Sequence, residues 1–182
     1  MVYREFCLNN NDPDAPEKKR LKKITTHILD KTNKEYLGII TQRRFVHPLH
    51  NLIDSSDTEL VRKTLKKFVE YGLDIDNEKN PNLYHNRDGK WENLKSPNTF
   101  LHRCIEHEAW NILEMFLTDF KDKASETIKK YNNSGIYAPF AFFFEKNKEK
   151  SKEFLEKFIK LFESCGADLT IGLANKSEEK PQ

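Results

Sequence analysis

Apolar positions recur every three or four residues in four stretches of the chain, separated by polar segments rich in turn formers. The first stretch, KRLKKITTHILDK, sets Leu21, Ile24, Ile28 and Leu29 on one stripe of a short helix over 19–31. A stripe of that kind needs a cover. The second stretch opens with HPLHNLI at 47–53, turns through DSSDTE, and continues as LVRKTLKKFVEY. There Val61, Leu65, Phe68 and Val69 share a face, and Arg62, Lys63, Lys66 and Lys67 occupy the other. Ser56 and Glu59 have capping-box spacing at the start of that helix. Gly72 stands just past its end, where a left-handed residue is cheapest.

The same arrangement returns twice. TFLHRCIEHEAWNILEMFLTDF at 99–120 carries Ile112, Leu113, Phe116 and Leu117 as the apolar face of its second helix. APFAFFFEKNKEKSKEFLEKFIKLFESCGADLT at 138–170 carries Phe154, Leu155, Phe158, Ile159 and Phe162, with Gly166 as the stop. The pattern predicts an all-α chain with helical hairpins over 48–71, 99–119 and 139–164. Leu49, Leu101 and Phe140 hold the same buried slot at the head of each. Two enlarged connections separate them. NPNLYHNRDGKWENLKSP at 80–97 is rich in Asn, Gly and Pro, and Arg87-Asp88-Gly89-Lys90 fits a β-hairpin tip. The second connection, 121–137, holds a short helical piece, ASETIKKY. At the chain ends, 1–17 and 174–182 lack an apolar period and are expected to be loose. Between them lies one repeat domain, 18–173, with repeats at about 36–76, 98–122 and 136–171.

Composition narrows the classes. In 182 residues, 31 Lys and Arg nearly cancel 29 Asp and Glu, leaving a net charge of +2 and no global field for gripping a polyanion. There is no apolar run of about 18 residues, and the first residues lack the apolar core of a signal peptide. The expected location is a cytosol. Three scattered cysteines, Cys7, Cys104 and Cys165, are too few for a disulfide framework or a four-thiolate zinc site.

HPLH, TFLH and APFA at the heads of the hairpins, with GLDID and GADLT at the feet of two of them, resemble the ankyrin repeat, whose consensus TPLHxAxxxGxxxxVxxLLxxGADxN spans about 33 residues. The resemblance covers roughly Tyr36 to Ile171. It implies an α-solenoid of about three stacked helix-turn-helix repeats, with the helix at 19–31 as an N-terminal cap and with protein binding as the function. His47 stands for the family's Thr, Phe100 for its Pro, and Ala138 and Ala141 for Thr and His. Leu52, Cys104 and Phe143 fill the small-residue slot. The loop at 80–97 exceeds the family's by about 15 residues, a length that is unusual unless the loop binds something or is disordered. Degenerate repeats, the Lys- and Asn-rich composition and the acidic Glu178-Glu179 tail also resemble secreted effectors of intracellular bacteria, exported into a host cell without a cleaved signal peptide.

Chemistry-bearing residues are sparse. His102, Cys104 and His107 look like metal ligands, but on a helix positions 102 and 104 lie about 200° apart and cannot meet at one ion. A buried Cys104 and a repeat-signature His102 fit better, and His50 occupies the same signature slot. Cys7 with His27 lacks any third orienting group for nucleophilic catalysis. No phosphate loop or hydrolase signature is present, so neither enzyme nor cofactor is expected. Candidate partner-binding residues are Tyr84, His85, Arg87 and Trp91 in the enlarged loop, with Tyr137 as an aromatic in the second one. Asn51, Arg103, Glu106 and His107 join them as exposed positions on the concave face. Two readings compete with a protein partner: a small helical enzyme on another fold, and an anionic lipid or nucleic-acid binder using Lys18, Lys19, Arg20, Lys22 and Lys23.

Overall fold

Proline opens three helices, at positions 16, 48 and 139, where a first-turn residue has no hydrogen bond to lose. The computed structural model describes residues 16–35, 37, 48–53, 57–76, 83–85, 91–93, 99–134 and 137–170. In chain order the elements are α1 (Pro16–Lys31), α2 (Pro48–Ile53), α3 (Thr58–Glu70), β1 (Leu83–His85), β2 (Trp91–Asn93), α4 (Phe100–Glu106), α5 (Trp110–Asp119), α6 (Lys121–Tyr131), α7 (Pro139–Asn147) and α8 (Lys152–Ser164). The chain is mostly helical, and it divides into two bodies, Met1–Arg103 and Cys104–Gln182, with the division inside α4. The segments 1–15 and 171–182, and with them Cys7 and Glu178-Glu179, lie outside the described residues. So does most of 36–47.

In the N-terminal body, α3 buries Leu60, Val61, Thr64, Leu65 and Phe68, so its stripe faces the core with Leu49, Leu52 and Ile53 of α2. Thr64 is accommodated because its hydroxyl donates to the Leu60 carbonyl at 2.8 Å. The cap of α3 is Asp57, whose carboxylate accepts from Leu60 N at 3.0 Å. It stands one residue later than the expected Ser56, which lies outside the described residues. At the other end Gly72 has φ +63, Gly72 N–H donates to the Val69 carbonyl, and Leu73 N–H donates to that of Phe68. That pair of bonds closes the helix in a Schellman turn. Helix α1 lies on α3 through Leu29, which is fully covered, while Lys63 reaches Asp30 at 2.7 Å and Lys67 donates to the Leu29 carbonyl. The expected stripe is only partly covered: Ile24 and Ile28 are each 40% exposed.

Aromatic rings fill the C-terminal body. Phe143 lies 5.2 Å from Phe158 and 5.3 Å from Phe162 by ring centroids, and Trp110 meets Phe143, Phe154 and Phe158 edge-on at 5.3 to 6.0 Å. Such offset and edge contacts suit the ring quadrupoles. Ser151 caps α8 by accepting from Phe154 N, and Gly166, at φ +82, closes it with the same two bonds seen after α3. Ala138, standing where the family has Thr, gives α7 no side-chain cap. The expected second loop contains a longer helix than its sequence announced: α5 runs through Phe120 directly into α6, which buries Ala124, Thr127 and Ile128. Leu49, Leu101 and Phe140 are all buried.

Candidate functional site

Helix α4 has only seven residues, and the segment 99–105 is covered throughout, with Thr99, Phe100, Leu101, His102, Cys104 and Ile105 at 0 or 1% exposure. Polar groups in such a place must be paired. His102 Nδ1 lies 2.7 Å from Thr99 Oγ1, and the same hydroxyl accepts from His102 N at 3.2 Å. A second acceptor arrives from far back in sequence: the buried Asp76 carboxylate takes the Phe100 N–H at 2.9 Å. Asp76 is itself held by its own N–H donating to Asp74 Oδ1. The turn that follows α3 therefore caps the start of α4.

The other end of α4 closes on a left-handed residue that is not glycine. Glu108 has φ +53, its N–H donates to the Ile105 carbonyl, and Ala109 N–H donates to that of Cys104 at 2.9 Å. Its carboxylate lies 3.6 Å from Lys150 Nζ.

Arg103 departs from expectation. It was read as an exposed position, yet it is 6% exposed, because α4 is covered around its whole circumference and offers no solvent face at that turn. Glu106 and His107, at the last turn, are half-buried. Tyr137 is half-buried as well. Tyr84, His85 and Trp91 are brought together on the β1–β2 hairpin, which is antiparallel with His85 opposite Trp91 and Tyr84 opposite Glu92. Arg87 and the Asn51 side chain lie outside the described residues, as do most of the basic side chains of 18–23. Sequence reasoning missed Asp76 and Glu108. Both were findable in the ankyrin frame, since Asp76 falls on the consensus Asn and Glu108 on the consensus Gly.

Among the described residues no three His, Cys, Asp or Glu side chains stand close enough to hold a metal ion. Burial pushes the Cys165 thiol up from its ordinary range, and its Sγ–H donates to the Leu117 carbonyl at 3.4 Å, so this sulfur is held as a packed thiol. Elsewhere the Thr170 hydroxyl and amide hold the Asp168 carboxyl below its usual range, and the Lys63 ammonium does the same for Asp30. These are structural pairings at loop and helix ends. What the described backbone brings together is a two-stranded antiparallel hairpin with Tyr84 and His85 on one strand and Trp91 on the other. Among the described residues no helix is long and apolar enough to cross a membrane. Searches against family models, curated proteins and solved structures find no match to this chain.

Proposed function

We propose that the chain is a non-catalytic protein-binding module of ankyrin-repeat type, with its recognition surface on the β1–β2 hairpin. The observation that carries this reading is the head of the second hairpin. There Thr99 and His102 pair through hydroxyl and imidazole, and the Asp76 carboxylate takes the Phe100 amide. In a solenoid each repeat is stable only against its neighbours, so a capping bond from one repeat's foot to the next one's head is the expected coupling device. The Schellman closures at Gly72 and Gly166 support the same frame. Within it, the segment between Asp76 and Thr99 is surplus to the stack, and Tyr84, His85, Arg87 and Trp91 are residue types that carry interface energy well.

The test is binding by the full chain. A partner captured with the unmodified protein and verified by calorimetry should bind the Arg87→Ala, Trp91→Ala double variant more weakly by about 2 kcal/mol or more. Circular dichroism and melting should be unchanged. Equal affinity would move the recognition surface off the hairpin, and loss of binding together with melting would make the hairpin structural.

A further inference from the structure

Helix α1 carries six Lys and Arg residues against Glu17 and Asp30, in a chain whose net charge is only +2, so the remainder of the protein is net acidic. Its attachment uses one side, through Leu29 and the reach of Lys63 and Lys67 from α3. On the other side Ile24 and Ile28, one turn apart, are each 40% exposed, and Arg20, Lys23 and Lys31 around them are exposed too. By the 3.6-residue period Arg20, Ile24, Ile28 and Lys31 share one face. Two part-exposed isoleucines flanked by cations are the arrangement of a helix that lies flat at a charged interface, its apolar side chains down and its long basic stems reaching sideways.

We infer that this face of α1 docks onto an anionic lipid bilayer surface, independently of the hairpin. Three features favour a bilayer over another macromolecule. The cations are almost all lysine, point charges suited to a diffuse anionic surface, whereas paired recognition of carboxylates or phosphates favours the arginine fork. The helix holds no Phe, Tyr or Trp, the side chains that form base-stacking platforms. Protein interfaces are depleted in lysine at their cores, yet here Lys23 and Lys31 flank the apolar positions described on this face. Each cation near such a surface strengthens binding by about fivefold.

The experiment is co-sedimentation of the full chain with phosphatidylcholine vesicles and with vesicles of roughly one-third phosphatidylserine. Binding to the anionic vesicles alone, weakening with salt, is the expected result. The Arg20→Ala, Lys23→Ala variant should lose about 25-fold in affinity. The Ile24→Ser, Ile28→Ser variant should lose about tenfold while keeping the salt dependence of the parent. Because the isoleucine changes can loosen α1, hydrogen exchange on the unmodified chain gives a second readout: amides of 20–31 should slow with anionic vesicles and stay unchanged with neutral ones. Equal binding to neutral vesicles, no binding to anionic ones, or unchanged exchange in α1 would each overturn the proposal. So would full displacement by an RNA homopolymer with the isoleucine variant binding like the parent, which would make the face a general polyanion site.

Discussion

Removing the Asp76 carboxylate should expose how strongly the turn after α3 holds the start of α4. Phe100 is fully buried, and its N–H is among the first-turn donors of α4 that no helical carbonyl can reach. Its acceptor is Asp76 Oδ1 at 2.9 Å. Asp76→Ala deletes that acceptor and leaves a buried donor with no replacement, which costs about 1–3 kcal/mol. Asp76→Asn keeps a carbonyl oxygen of the same reach and loses only the charge assistance, so it should cost about half as much or less. For a chain of this size the alanine change corresponds to a fall in melting temperature of about 2–12 °C. Urea titration of both variants measures the difference. Amide exchange at Phe100, read by NMR, localises it, because that proton should become far less protected in the alanine variant and remain protected in the asparagine one. Equal stability of the two variants, with Phe100 equally protected in both, would refute the capping role.

Glu108→Gly should stabilise the protein. It relieves about 1–2 kcal/mol of left-handed strain and returns about 0.4–1 kcal/mol as added freedom of the unfolded chain. The exposed pairing with Lys150 adds little, so a net gain of up to about 1 kcal/mol is expected by urea titration, and a loss would refute the strain assignment. The Asp168 carboxyl, depressed below its ordinary value of 3.8 by Thr170, favours the folded state above that value. Its contribution fades as pH falls through the lower folded value. Carboxyl carbon NMR should show Thr170→Ala moving the Asp168 midpoint up toward 3.8, and an unmoved midpoint would remove the Thr170 hydroxyl as the main cause.

How legible the molecule was depended on how each element is buried. α3 and α8 are covered on one side, so the three-and-four spacing of Val61, Leu65 and Phe68, and of Phe158 and Phe162, announced them. The β-hairpin was visible in the turn formers between Tyr84 and Trp91, and β1 and β2 pair on either side of 86–90. α4 was expected as a helix, but which of its side chains face solvent was not legible, because a helix covered all round has no polar face for periodicity to detect, and so Arg103 was assigned to solvent. α1 failed differently: its stripe implied a cover, but spacing cannot say whether the rest of the chain reaches Ile24 and Ile28. α6 was underestimated because Lys121, Asp122 and Lys123 read as loop, although Ala124 and Ile128 bury its other side. In the candidate site, the residue types of the hairpin were readable while the Asp76-to-Phe100 bond was not, since a contact between foot and head is invisible to any local pattern.

That bond has a consequence for what the protein can tolerate and acquire. By tying position 76 to position 100, it fixes both ends of the intervening segment whatever lies between them. Closing a flexible loop costs only about 0.6 kcal/mol more for each doubling of its length. Lineages or engineers can therefore lengthen, shorten or replace 77–98 at a cost smaller than the bond's own contribution, and new specificity can be tried there without the body having to be rebuilt.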